Sequence, residues 1–235
     1  MKKSISIFLA LILIVTAFSA CSDKKLDIDK PSKISIDEEN TFPDIEESRV
    51  EESPNVNGMR FNLTLYDFTS RYNSEKRLAG DTDLIIMGNW RENGDVTTDN
   101  NGVKIRYYYY DDYKVNITVT IEEETEKLVN VGCGTTMSYF MSQDDDENNS
   151  EKVIQKAALM ALAACGYENN RIDTLQDIFY KLSTEADDSI YYDGFVFSLS
   201  TKEDKGNSKN SIMLFRVFPI SDDLKSEWKL AEYGE

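Results

Sequence analysis

VKIRYYYYDDYKVNITVTIEEETEKLVNVGC, Val103 to Cys133, reads as three antiparallel strands in a meander, and the rest of the chain is expected to pack on that sheet. Val115, Ile117, Val119 and Ile121 alternate with Lys114, Asn116, Thr118 and Thr120, so one strand face is apolar and the other polar. In the strand before it, Val103, Ile105, Tyr107 and Tyr109 alternate with Lys104, Arg106, Tyr108 and Tyr110. A two-residue turn at Asp111-Asp112 would set Arg106 against Ile117 and Lys104 against Val119, mixing charge into the apolar face. A three-residue loop, Asp111-Asp112-Tyr113, sets Tyr109 against Val115, Tyr107 against Ile117 and Ile105 against Val119. This is the register expected, although such a loop favours glycine where Tyr113 stands. Val129, Val131 and Cys133 extend the apolar face. The other face then carries Arg106, Tyr108, Tyr110, Asn116 and Thr118. These form an aromatic and polar platform suited to a glycan or protein ligand, or else a second buried layer under another helix.

Around the meander the elements follow from capping and periodicity. Met59 to Leu63 is extended, and Thr64-Leu65-Tyr66-Asp67 opens a helix with Thr64 as cap and Asp67 in the capping-box position. Leu84-Ile85-Ile86-Met87 reads as a strand. Glu151 to Cys165, stopped by Gly166, is the strongest helix, and its all-round apolar second half implies burial on more than one side. Thr174-Leu175-Gln176-Asp177-Ile178 echoes Thr64-Leu65-Tyr66-Asp67-Phe68, which suggests two related helix-then-hairpin units. Strands near Ile190–Leu199 and Ile212–Phe218, joined by a polar loop around Gly206, and a short last helix with Trp228 complete the chain. The fold class expected is α+β, an antiparallel meander sheet covered by the apolar helix.

The termini divide differently. Lys2 and Lys3 precede an apolar run, Ile5 to Ala17, that is short for a membrane span, and the run ends in Phe18-Ser19-Ala20-Cys21. Residues 1–21 thus read as an export signal. Residues 22–57 hold Pro31, Pro43 and Pro54 and are dominated by acids such as Asp37-Glu38-Glu39 and Glu51-Glu52, so they read as a tether, spanning roughly 30–40 Å as a flexible coil. Residues 58–235 are read as one α+β domain.

The small residues before Cys21 resemble the lipobox of bacterial lipoproteins, with Phe18 in place of the usual Leu. With the acidic tether and the T-L-x-D-F/I helix openings, the chain resembles uncharacterised lipoproteins of Gram-positive bacteria. The resemblance implies a lipid anchor on Cys21 and an extracytoplasmic, membrane-tethered location, and it brings no catalytic residues with it.

Composition excludes several chemistries. The chain has no histidine, so a Ser-His-Asp triad, a Cys-His pair and an H-E-x-x-H zinc site are ruled out. A net charge of −17 with no basic patch argues against nucleic acid as a partner. Gly132-Cys133-Gly134 lacks the third glycine of a dinucleotide loop, since Met137 stands there. Asp144, Asp146 and Asn148 are spaced like the opening of a calcium loop, but Asn149 and Gln155 replace its Gly and Glu, and a solvated loop capping the next helix is the competing account. Cys133 and Cys165 read either as a disulfide or as two buried thiols. Carboxylate pairs could hydrolyse glycans, yet none of the 43 acidic residues is singled out. No cofactor is expected. The functional expectation is a non-enzymatic binding module, with a carboxylate-dependent glycan hydrolase and a structural or assembly lipoprotein of the envelope as alternatives.

Overall fold

A computed structural model describes residues 49–144, 147–184, 188–204 and 210–234. In chain order its elements are β1 (Val50–Glu52), β2 (Met59–Phe61), α1 (Leu65–Leu78), β3 (Arg91–Glu92), β4 (Thr97–Thr98), β5 (Lys104–Asp112), β6 (Val115–Glu122), β7 (Leu128–Thr136), α2 (Met137–Phe140), β8 (Gln143–Asp144), β9 (Glu147–Asn148), α3 (Asn149–Cys165), α4 (Ile172–Thr184), β10 (Ser189–Tyr192), β11 (Phe195–Lys202), β12 (Ile212–Pro219), α5 (Asp222–Trp228) and β13 (Ala231–Glu232). The chain is α+β. Its main sheet runs β13-β10-β11-β12-β7-β6-β5-β3, with β4 also on β5, and every pairing is antiparallel except β10 with β13. Two meanders, β5-β6-β7 and β10-β11-β12, each preceded by a helix, meet through their last strands.

One face of this sheet carries the helices. Val115, Ile117, Val119, Val131, Cys133, Phe215 and Val217 share it and belong to one core with α1, α3 and α4. Twelve of the seventeen residues of α3 are buried, because the sheet lies below it and α1 and α4 lie on its flanks. Its run of alanines lets those neighbours approach closely. Asn148 caps it, and Gly166 ends it in a left-handed turn at φ 62°. Thr64 and Asp67 form the expected capping box of α1. No helix among the described residues is long and apolar enough to cross a membrane.

Four expectations are corrected. First, β5 and β6 pair Tyr110 with Ile117, Tyr108 with Val119 and Arg106 with Ile121, around a two-residue turn at Tyr113-Lys114. Both turn residues have positive φ, 36° and 63°, as a primed hairpin turn demands. Burial of the tyrosines against β6, and the Thr135 hydroxyl donating to the Lys114 carbonyl at 2.8 Å, hold this strained turn. Second, Leu84–Met87 is no strand: the Asn73 side chain bonds both the N–H and the carbonyl of Ile85, at 2.7 and 2.8 Å, and so replaces a strand partner. Third, Ile190–Leu199 is a hairpin, turned at Asp193-Gly194, where both residues have positive φ.

Fourth, order begins before residue 58. β1 pairs with β2, and the Glu122 carboxylate, 3% exposed, accepts from Ser53, Asn55, Arg60 and Thr125. Glu51 meanwhile pairs with Arg60 at 2.6 Å and with Lys127 at 2.9 Å. The acids and Pro54 of residues 50–57 resemble a solvated coil in composition, but basic partners on β2 and beside β7 fasten them to the sheet. Cys133 and Cys165 are free and buried, and burial pushes the Cys133 thiol up to about 12.

Candidate functional site

The register splits the expected platform between the two faces. Tyr108 is 7% exposed and lies on the helix side with Tyr110, which meets Trp90 edge-on at 5.8 Å. Arg106 shares that side at its margin, held by Glu92 at 3.1 Å and Glu123 at 2.7 Å. Asn116 is exposed on the opposite face. Tyr192 joins the helix side beside Tyr167, whereas Tyr191 lies on the opposite face with the Lys225 ammonium 4.0 Å from its ring centre. Asn148 spends its side-chain oxygen on capping α3, accepting from Ser150, while Asp146 and Cys21 lie outside the described residues. Among the described residues no group of three acidic or cysteine side chains is placed to hold a metal ion.

The face away from α1, α3 and α4 keeps Asn116 and Thr118 of that platform and adds residues of β7 and β12. Successive strand pairings set one row across it: Ser198, Arg216, Gly132, Thr118, Tyr109 and Arg91. Leu214, Gly134 and Asn116 form the row on one side, and Asn130, Thr120 and Tyr107 form the row on the other. Asn116 is exposed, and Tyr107, Tyr109, Thr118 and Asn130 are half-buried. Among the described residues α5 reaches a corner of this face, where Trp228 packs edge-on against Phe218 at 6.4 Å, and Thr120, Val196, Ser198, Leu214 and Arg216 on it are buried. The helices α1, α3 and α4 belong to the other side.

Gly132 and Gly134 strip the central strand β7 of side chains here. A Cβ at Gly132 would stand 2.5 Å from the Thr118 hydroxyl and 3.1 Å from Leu214, so both neighbours lean over the strand. Glycine inside a strand weakens it and marks close approach by other groups.

Arg216 lies next to Gly132 in this row. Its side chain is 5% exposed, and its Nη2 is fully buried with no hydrogen-bond partner. No carboxylate among the described residues pairs with it. Burial lowers its pKa to about 10, and the phenol of Tyr107 pulls the other way. Burial in turn raises Tyr107, against contact with the Thr97 side chain and the charge of Arg216. Tyr107 on β5 stands three strands from Arg216 on β12 and one row along. An arginine stays charged at neutral pH even with this shift, so this face holds one buried positive charge with a donor nitrogen to spare.

The signal was present in the sequence: Arg216 is the single charge in the apolar run Ile212–Pro219. Elsewhere the buried charges are answered, Asp112 by Lys156 at 2.8 Å and by Lys76 at 3.5 Å, and Glu122 by Arg60. An open depression lined by Glu52, Ser53, Pro54, Gly58, Met59 and Ser221 carries a single carboxylate, Glu52, and so lacks the facing pair that glycoside hydrolysis needs. No known protein family, curated protein or solved structure matches the chain.

Proposed function

We propose that the chain is a lipid-anchored extracytoplasmic binding protein that takes a glycan on the face of its sheet away from α1, α3 and α4. The observation that carries this reading is the polar row across that face, where Tyr109, Thr118 and Asn116 stand beside the glycine strip of β7. Tyrosine offers a flat apolar ring with a polar tip, and amide and hydroxyl groups exchange hydrogen bonds with a polyol without bringing net charge. A protein partner would favour a broad apolar centre, whereas here Leu214 is the one apolar side chain in the rows that flank Gly132 and Gly134. The sequence Phe18-Ser19-Ala20-Cys21 supports anchoring through Cys21 after removal of the segment before it.

The test is retention of solubilised wall and dietary glycans by the full chain. Tyr109→Ser combined with Asn116→Ala is expected to weaken retention of the bound glycan at least tenfold while leaving the thermal midpoint near its original value. Equal retention by the double variant would overturn the reading. Labelling with a radioactive fatty acid in a bacterial host, lost in Cys21→Ser, checks the anchor.

A further inference from the structure

We infer that Arg216 forms the floor of a site for a single carboxylate, so that the bound glycan carries an acidic sugar whose carboxylate lies over Gly132. The inference rests on the binding-face reading and names the ligand's chemistry.

Four features converge on it. Arg216 is more than nine-tenths buried on the sheet face away from α1, α3 and α4, and its Nη2 has no partner. Gly132 and Gly134 leave the neighbouring strand bare beside it. The Thr118 hydroxyl reaches over Gly132 from the other side, and the Ser198 hydroxyl stands opposite Arg216 on β11. A guanidinium offers a planar fork of N–H donors that matches the two oxygens of a carboxylate, and flanking hydroxyls can donate to the same group.

Charge selects a carboxylate over a phosphate. The site brings one positive charge, and no lysine or second arginine adjoins it in its rows apart from Arg91 at the far edge. A carboxylate neutralises one charge, whereas a phosphate dianion would leave a buried negative charge unanswered. The chain's net charge of −17 repels polyanions at long range, so the ligand bears isolated acidic groups rather than a dense row of them.

Access requires Leu214 to move. Its Cδ1 lies over both glycines, 3.1 Å from a Cβ built at Gly132 and 3.3 Å from one at Gly134, and rotation of that side chain uncovers the strip beside the guanidinium.

The experiment titrates the full chain with sodium glucuronate, sodium acetate, glucose and sodium phosphate at equal ionic strength, reading the thermal midpoint and heats of binding. Glucuronate is expected to raise the midpoint by about 5–10 °C at a hundredfold excess over its Kd. Arg216→Met should remain folded and lose this response, Arg216→Lys should keep only part of it, and Leu214→Ala should strengthen it. A response that survives in Arg216→Met, or a response to phosphate with none to either carboxylate, overturns the site. If glucuronate and acetate act through Arg216 but no glycan is retained, the carboxylate site stands and the glycan reading falls. If a glycan is retained equally by wild type and Arg216→Met, the glycan reading stands and the carboxylate site falls.

Discussion

Phe215 and Arg216 are neighbours in β12 and point to opposite faces of one sheet. Phe215 is fully buried, with Phe140 at 6.3 Å and Phe179 at 5.4 Å between ring centres. Arg216 is almost as buried and has no partner for one of its nitrogens. The same strand thus serves stability on one side, while on the other it holds a group that works against stability. On the helix face charges meet opposite charges, as Asp112 meets Lys156 and Lys76. The contrast teaches that burial alone does not identify a core residue: what matters is whether its polar atoms are satisfied.

The comparison can be broken most forcefully at Phe215. Phe215→Ala should destabilise the fold by about 4 kcal/mol through lost burial and an unfilled cavity, read as a lower denaturation midpoint in urea. Its neighbour should behave in the opposite sense. Arg216→Met should raise stability by ~2 kcal/mol, because a desolvated charge gives way to an apolar chain of similar length. Loss of stability in that variant would place Arg216 among the supporting core residues.

A smaller effect sharpens the register that defines the two faces. Lys114 stands at φ 63° in the β5–β6 turn, so Lys114→Gly should stabilise by ~1 kcal/mol without changing the fold. Under the register expected from the pattern, with Tyr113 closing the loop, the same substitution would weaken β6 instead. The smallest effect is on acidity. The Glu51 carboxyl is held below its ordinary 4.5, since the bonds from Lys127 and Arg60 outweigh the burial that opposes them. A carboxyl lowered in the folded state lends stability above its unfolded pKa and loses it as pH falls through the folded value. Amide exchange in β1 should therefore quicken below pH 4.5 before that of β6 or β7 does.

Much of the architecture is legible in residues 103–136, because period-two alternation in β6 and the capped, apolar α3 leave few alternatives. The register was not legible for a definite reason. In β5 tyrosines occupy both faces alternately, so the pattern decides nothing, and the charge of Arg106 argues against the face that it in fact shares. Glu92 and Glu123, brought alongside by pairing, make that position tolerable. The tight turn was hidden because Tyr113 and Lys114 are poor formers of positive φ, while the well-marked Asp193-Gly194 turn lay inside a run read as one strand. Leu84–Met87 was lost to a side chain, Asn73, that no local pattern reveals. Of the candidate site, Asn116 and Thr118 follow from the alternation in β6, whereas Arg216 stands out only by its lack of partners, and that is a property of the fold.

The meeting of the two meanders through their last strands has a consequence for the order of assembly. Val131 pairs with Val217, so β7 gains its second neighbour only when nearly the whole chain is available. Local hairpins close quickly and distant pairings late, because loop closure opposes the latter. Until then β7 is an unpaired sheet edge, the kind of surface on which nascent chains aggregate. Asn130, Gly132 and Gly134 give that edge one face with little to adhere to. The bare strip beside Arg216 in the finished fold thus also protects the unfinished one from its neighbours.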